Sequence, residues 1–306
     1  MSAKKQHGLL MEGLKREFVF SMQARKLSPK TIDNYSKQIG FLLRYAKEIY
    51  QVDTIESFTS QIIKEFLVSK MKTCKPQYIN DLLKAFKVFF RYIHEEGYTS
   101  DILTIRIKNV KQPKVKIISF NKKEVKGYLD YFSGRDFLSV RNKTVMAFLF
   151  DTGARMAEMA NMQPCQIKQD SILIYGKGNK ERLVPITPYL GKQLIKYLNA
   201  RQMFLAGEEC ECLFPSKNRR MLTEEAVCKF MKDTAKIIDV RKEVRVSPHT
   251  CRHTFAHMQL RNGCDLYTLS RLMGHENISI TQRYLEGIQD EEIVEKGKKT
   301  SPLMNL

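Results

Sequence analysis

The sequence predicts a mainly α-helical protein of two domains: an N-terminal unit of four helices, and an α+β domain that is mostly helical around a small β-sheet. Three observations lead to this prediction. The 306 residues suffice for two domains, and 43% of them are hydrophobic, enough for two cores. Apolar residues recur at helical spacing along most of the chain. Residues 171–186 instead alternate around a glycine-rich turn, as a β-hairpin does.

Four amphipathic segments define the first domain, which we place at residues 1–105. The first segment spans residues 9–24. The second begins at Ser28, because serine is a preferred N-cap and the proline after it is tolerated in the first helical turn. The third covers residues 57–68 and the fourth residues 76–96.

Residues 106–118 are basic, contain one proline and lack helical periodicity. They are therefore predicted to form an interdomain linker. The second domain is placed at residues 119–306.

The chain is strongly basic, with 52 Lys and Arg against 33 Asp and Glu, a net charge of +19 and a pI near 9.6. Such a charge costs self-repulsion unless a partner neutralises it, so the composition predicts binding to an anionic polymer. The alternative is a lysine-rich surface without such a partner.

Cysteine usage predicts reduced thiols in the cytosol, because the seven cysteines are odd in number and lack C-x-x-C spacing. Apolar runs such as residues 145–150 are too short to span a bilayer. We therefore expect a soluble protein that is not exported and has no membrane partner.

The stretch 144–162 predicts a helix that ends near Asp151, a turn at Gly153 and a new helix from Arg155. Glu158 lies three residues beyond Arg155, so its carboxylate can aim the guanidinium at a phosphate. The same spacing also fits an ordinary helix salt bridge, and spacing alone leaves both readings open.

The hairpin is predicted from a strand at residues 171–175, a turn at residues 176–179 and a return strand at residues 182–186, before a helix from Pro188. Lys177 lies at its tip between two glycines and, on position alone, is an exposed turn lysine. Residues 190–240 predict two further helices without recognisable chemistry.

Near the C-terminus, Ser247 and Pro248 predict a helix start. His249 and Arg252 then share its first turn, where free N–H groups attract anions. A helix is predicted at residues 265–273, and Gly274 fits its left-handed C-cap. His275 is therefore expected directly after the end of this helix.

A capping box from Ser279 to Gln282 predicts a short terminal helix with Tyr284 in its second turn, near the same pocket. Isolated His and Tyr residues on helices most often belong to the core or the surface, so each of them alone is weak evidence for a functional site. His249, His253 and His257 at spacing four suggest a metal site, but Thr254 breaks the H-E-x-x-H pattern and no carboxylate lies nearby. We predict no metal.

Together these motifs resemble the signature of the tyrosine recombinases, the phage-integrase family that includes the Xer-type chromosome-dimer resolvases. The resemblance lies in T-G-x-R-x-x-E at residues 152–158, the hairpin GKGNKERLVPI, His-x-x-Arg at residues 249–252, Gly-His at 274–275, and a tyrosine nine residues later. Ala157 stands where a serine is common. The first domain matches the family's core-binding domain in pattern only.

This resemblance implies the DNA breaking-rejoining enzyme fold and site-specific recombination through a 3′-phosphotyrosine. Tyr284 would be the nucleophile, and Arg155 and Arg252 would neutralise the phosphate oxygens. His275 would add a hydrogen bond to the phosphate, and Glu158 would steady Arg155.

By the same resemblance, His249 would accept the tyrosine proton and Lys177 would protonate the departing 5′-oxygen. Lys180 and Arg182 are expected to contact the DNA backbone. No cofactor or metal ion is expected.

The resemblance further implies a homotetramer on paired double-stranded DNA sites, acting through a Holliday junction, with a related recombinase or accessory proteins as further partners. We expect it in the cytoplasm at the nucleoid. Two alternatives remain: a type IB topoisomerase, against which compact size and the Xer-like hairpin argue, and a non-catalytic DNA-binding regulator, against which the complete six-residue set argues.

Overall fold

A computed structural model describes residues 9–113, 117–176 and 180–287, together with positions 294, 297, 298 and 301. The chain divides into two compact units, Met1–Lys114 and Val115–Leu306. Both are mainly helical, as predicted. None of the described helices is long and apolar enough to cross a membrane.

The first unit is built from four helices, as the periodicity predicts. They are α1 (Met11–Ala24), α2 (Pro29–Tyr50), α3 (Ser60–Met71) and α4 (Pro76–Glu95). Ser28 caps α2 by accepting a hydrogen bond from the Thr31 backbone. The third helix starts later than predicted, because the Thr59 side chain is the one that caps it.

The helix α4 fills the middle of this unit with one face. Phe86, Phe89 and Phe90 are all but fully buried, whereas Lys84 and Arg91 on the other side are exposed. The hydrophobic effect thus fixes which face of α4 is free to present basic side chains.

Residues 106–113 belong to the first unit rather than to a free linker. Ile107 is buried in its core. The Asn80 side chain donates to the Val110 carbonyl at 2.9 Å and accepts from the Val110 N–H at 2.8 Å. These contacts tie Ile107 and Val110 to the first compact unit.

In its described part, the second unit contains one hairpin, two short 3₁₀-helices and a series of α-helices. The helices are α5 (Lys122–Tyr131), α6 (Phe137–Thr152), α7 (Met156–Ala160), α8 (Pro188–Leu205), α9 (Glu224–Ile237), α10 (Pro248–Arg261), α11 (Leu266–Met273) and α12 (Ser279–Gln282). A full capping box between Asn121 and Glu124 starts α5, which the sequence analysis missed.

The hairpin pairs β1 (Ser171–Tyr175) with β2 (Glu181–Pro185) in antiparallel register, with Ser171 opposite Pro185 and Tyr175 opposite Glu181. The first strand is as predicted, and the second begins one residue earlier. Ile172, Ile174 and Val184 bury one face of the hairpin in the core of the unit. The hairpin is thereby fixed against the helices that carry the candidate site.

Candidate active site

Gly153 makes the turn that delivers Arg155. It is the C-cap of α6 with φ of 59°, in the left-handed region. A Cβ at this position would lie 2.3 Å from Cδ1 of Phe255, so a side chain is excluded by space as well as by conformation. The chain then enters α7 with Arg155 as its N-cap.

Arg155 and Glu158 form the pair that their spacing predicts. Nη1 of Arg155 donates to Oε1 of Glu158 at 2.7 Å, and the Arg155 backbone N–H donates to Oε2 at 2.8 Å. The Arg155 side chain keeps 42% of its surface exposed, whereas that of Glu158 keeps 5%. The carboxylate therefore anchors an arginine whose free edge can meet a ligand.

The side chain of Arg182 points inward, which does not favour the predicted contact with DNA. Its side chain is 9% exposed. Its Nη1 and Nη2 donate to the two oxygens of Glu158 at 3.1 and 2.7 Å, and its Nε donates to the Leu272 carbonyl at 2.8 Å. Arg182 faces inward because its positive charge stabilises the buried carboxylate of Glu158.

Glu158 remains charged in this setting. Burial raises the pKa of its carboxyl group, but the hydrogen bonds and charge of Arg182, together with the hydrogen bonds from Arg155, outweigh burial and hold the pKa below its ordinary value. Glu158 is thus the shared anchor of two arginines.

Arg252 is held from three sides. Ser247 caps α10, as predicted, and places Arg252 in the first turns of that helix. Nη1 of Arg252 donates to the Gly153 carbonyl at 2.6 Å, and Nη2 donates to the Met273 carbonyl at 2.7 Å. The residue is 2% exposed, and burial, together with the charge of Arg155, lowers its pKa to about 10.

His275 follows Gly274, which takes the predicted left-handed C-cap of α11. Nη2 of Arg252 lies 2.9 Å from Nε2 of His275, and Nδ1 of His275 lies 2.8 Å from Oγ1 of Thr281. An arginine only donates, so Nε2 accepts and Nδ1 carries the proton. Burial and the charge of Arg252 lower the pKa of His275 to about 4, which keeps it neutral.

The terminal helix departs from its predicted form. Ser279 is its first residue rather than its N-cap, and its N–H donates to the Asn277 side chain at 2.9 Å. The helix ends at Gln282, so Tyr284 lies in the following turn, where its N–H donates to the Thr281 carbonyl. Tyr284 is only 3% exposed.

The hydroxyl group of Tyr284 lies 3.0 Å from Nδ1 of His253, a residue whose sequence position suggested only a metal ligand. His257 packs edge-on against the same tyrosine ring at 5.5 Å, with its Nδ1 2.9 Å from Oγ of Ser119. The four-residue spacing places His249, His253 and His257 on one face of α10, but it does not show that Tyr284 lies against that face.

His249 is exposed at the start of α10, and its ring centroid lies 4.5 Å from that of His253. Although its surface is exposed, neighbouring side chains partly desolvate the imidazole of His249, and this partial burial lowers its pKa, as do the charges of Arg252, Arg283 and Arg245. The pKa of Tyr284 is raised by burial, against the opposing charges of Arg252 and Arg283. Arg283 and Arg245 are thus further cations near the site that sequence reasoning did not single out.

The sequence predicts two functional lysines near the tip of the hairpin. Lys177 lies outside the described residues. Lys180 is exposed and pairs with Glu276 at 2.8 Å, so it remains available to a polyanion. Among the described residues, no group of three His, Cys, Asp or Glu side chains is arranged to hold a metal ion.

The site therefore joins two arginines, a neutral histidine pinned between Arg252 and Thr281, and a buried tyrosine whose hydroxyl touches a second histidine. Cations to stabilise an anionic transition state, a nucleophile and a proton acceptor are the parts that cleavage of a phosphodiester needs.

Comparison with known proteins agrees with this chemistry. Residues 119–290 match the phage integrase family. Tyrosine recombinase XerD of Halalkalibacterium halodurans is 27% identical over 269 residues, covering 87% of this chain and 89% of that protein. Tyrosine recombinase XerD of Vibrio cholerae is 29% identical over 280 residues, covering 89% of this chain and 91% of that protein.

Two solved structures show the same fold. The XerH recombinase in its post-cleavage complex with a palindromic difH substrate has a TM-score of 0.75 at 19% identity, covering 95% of this chain and 83% of that one. A lambda integrase tetramer bound to a Holliday junction has a TM-score of 0.75 at 15% identity, covering 94% of this chain and 79% of that one.

Proposed function

Because this chain belongs to the phage integrase family, we propose that it is a site-specific tyrosine recombinase that cleaves and rejoins double-stranded DNA through a 3′-phosphotyrosine on Tyr284. One observation carries the proposal. Arg252 donates to the carbonyl of Gly153, two residues before Arg155, and its pKa responds to the charge of Arg155. Two arginines that are distant in sequence therefore share one cationic centre.

In this reaction the hydroxyl oxygen of Tyr284 attacks the scissile phosphorus. Arg155 and Arg252 stabilise the negative charge that develops on the non-bridging oxygens. His275 lies in the same hydrogen-bonded group, and we propose that it adds a hydrogen bond to the phosphate. Glu158 keeps Arg155 in place.

The departing 5′-oxygen takes a proton, for which we propose Lys177, a residue that the sequence predicts at the hairpin tip. The phosphotyrosine conserves the bond that a new 5′-hydroxyl attacks, so religation needs neither ATP nor a metal ion. Lys180 is proposed to contact the DNA backbone near that tip.

The proposed partner is duplex DNA at paired recombination sites. The net charge of +19 supports it. The similar XerH structure holds a difH substrate and the similar lambda integrase structure is a tetramer on a Holliday junction, so we propose a homotetramer with strand exchange through such a junction, assisted by a related recombinase or accessory proteins. Its place of action is then the cytoplasm, at the nucleoid.

The test begins with a binding site selected from a random duplex library. Wild-type protein should form a covalent adduct on a nicked version of that site. Tyr284→Phe should bind but form no adduct, whereas Tyr267→Phe, which alters an exposed tyrosine of α11, should form it normally. An adduct in Tyr284→Phe would refute the assignment of the nucleophile.

A synthetic Holliday junction that carries two such sites separates the function classes. A recombinase should resolve it. Relaxation of supercoiled DNA without resolution would indicate a type IB topoisomerase, and binding without an adduct on any substrate would indicate a non-catalytic regulator.

A further inference from the structure

Among the described residues, the hydroxyl group of Tyr284 pairs with Nδ1 of His253 at 3.0 Å. His249, the histidine that the family signature assigns to the tyrosine proton, lies one turn earlier on α10 and is exposed. The two histidines therefore occupy different places: one touches the nucleophile, and the other faces outward at the start of the helix.

The direction of the hydrogen bond follows from burial. Tyr284 is 3% exposed, so a phenol proton without an acceptor would be left unsatisfied, at a cost of about 1–3 kcal/mol. The hydroxyl therefore donates, and Nδ1 of His253 accepts with its lone pair. His253 is neutral, as this requires.

We propose that His253, rather than His249, is the group that takes the phenolic proton of Tyr284 during DNA cleavage. The proposal rests on the proposed function, in which Tyr284 is the nucleophile. His249, exposed one turn away, is then free to contact the DNA phosphate.

The step balances. A bond forms between Oη of Tyr284 and phosphorus, and the O–H electron pair stays on that oxygen while the proton moves to Nδ1 of His253. The bond between phosphorus and O5′ breaks with its electron pair on O5′, which takes a proton from the proposed general acid. Religation reverses each transfer, so the imidazolium of His253 returns the proton to the tyrosine.

The charges around His253 make this transfer dependent on bound DNA. Burial, with the charges of His249, Arg283, His257 and Arg252, lowers the pKa of His253 to about 3, so His253 is a weak base in the free protein. A phosphodiester bound among these cations brings a negative charge that offsets them and makes His253 more basic. Proton transfer is thereby coupled to the arrival of the substrate.

Three asparagine variants separate the roles of the histidines. His253→Asn keeps a hydrogen-bond acceptor near the hydroxyl but cannot take a proton. His249→Asn changes the exposed histidine, and His257→Asn changes the one that packs on the same ring while bonded to Ser119. Single-turnover adduct formation on the nicked site, half-site binding and melting temperature are measured for each variant.

We expect His253→Asn to bind the half-site normally and to form the adduct about 100-fold more slowly, the lower end of the usual effect of a general base. The decisive measurement replaces Tyr284 by a fluorinated tyrosine, whose more acidic phenol needs less help to ionise. That replacement should restore most of the lost rate to His253→Asn and little to His249→Asn or His257→Asn.

A wild-type rate for His253→Asn, rescue of His249→Asn instead, or loss without rescue would each overturn the proposal. If His253→Asn melts markedly lower, His253→Gln carries the same comparison. Failure of the proposed function looks different, because then neither the unaltered chain nor the fluorotyrosine chain forms an adduct at residue 284.

Discussion

Arg182 and Glu158 are joined by two hydrogen bonds, of 3.1 Å between Nη1 and Oε1 and 2.7 Å between Nη2 and Oε2. Both side chains are less than a tenth exposed. The same carboxylate holds Arg155, so one buried ion pair supports a residue that faces the substrate. Its removal should affect both stability and catalysis.

We predict that Arg182→Ala lowers the free energy of unfolding by about 3–5 kcal/mol, because it leaves the carboxylate of Glu158 buried with one fewer cation. Urea titration of the purified variants measures this. Lys180→Ala is the matched control, since its partner Glu276 is exposed and such pairs contribute about 0–1 kcal/mol. Equal effects in the two variants would contradict the buried arrangement.

Gly153→Ala should be far more damaging than Gly263→Ala. Both glycines have positive φ, of 59° and 99°, but a Cβ at Gly263 meets nothing within 4 Å, whereas at Gly153 it would lie 2.3 Å from Phe255. We expect Gly153→Ala to cost about 1–3 kcal/mol beyond the strain common to both variants, measured by thermal unfolding. It should also slow adduct formation, because the Gly153 carbonyl positions Arg252.

The second unit should lose stability as pH falls below about 6.5, the ordinary pKa of histidine. The folded state lowers the pKa of His275 to about 4 and that of His253 to about 3, so in this window the unfolded chain binds more protons. Stability from the neutral histidines is therefore complete above pH 6.5 and declines toward pH 4. Denaturant titrations at several pH values measure the slope.

His275→Asn should flatten that slope by removing one of the titrating groups. His94→Asn, a change in the first unit, should leave the transition of the second unit unaltered. A stability that is independent of pH between 4 and 6.5 would be incompatible with buried neutral histidines.

DNA affinity should fall steeply with salt, and Lys180→Ala should reduce the log–log slope by about one unit, because it removes one phosphate contact. The matched control is Lys168→Ala, an exposed lysine at the end of the hairpin away from its tip. Fluorescence anisotropy at several salt concentrations supplies the slopes. Equal slopes for the two variants would show that Lys180, near the hairpin tip, does not contact the DNA backbone.

Local signals in the sequence predicted much of the fold. Ser28, Ser247 and Gly274 each act within one helical turn, and the caps that they form appear where expected. The capping box predicted from Ser279 to Gln282 did not form as expected, because the side chain of Asn277 accepts the hydrogen bond from the Ser279 backbone N–H group. A capping pattern identifies the helix, and its neighbours decide which residue caps it.

The parts of the site that escaped prediction depend on contacts between distant residues. The sequence predicts Arg182 to be an exposed hairpin arginine. In the structure it instead donates hydrogen bonds to Glu158 and to the Leu272 carbonyl, which belong to other elements. His253 reads as a helix residue until the turn after α12 brings Tyr284 to it. The spacing of residues along the chain does not determine the distance between side chains on different elements. A sequence motif could therefore predict which residue types form the site, but not which of them are in contact.

The final prediction tests Lys177, whose proposed role is to protonate the departing 5′-oxygen. Lys177→Ala should bind DNA normally and lose adduct formation by a factor of about 100 or more, the usual effect of a general acid. A substrate with sulfur at the bridging 5′ position leaves as a weakly basic thiolate and needs little protonation. It should restore cleavage to Lys177→Ala but not to Tyr284→Phe, which lacks the nucleophile, nor to Arg182→Ala, whose defect lies in the support of Arg155. If sulfur fails to rescue Lys177→Ala, the lysine either binds the phosphate or stabilises the turn, and the leaving oxygen takes its proton from another group.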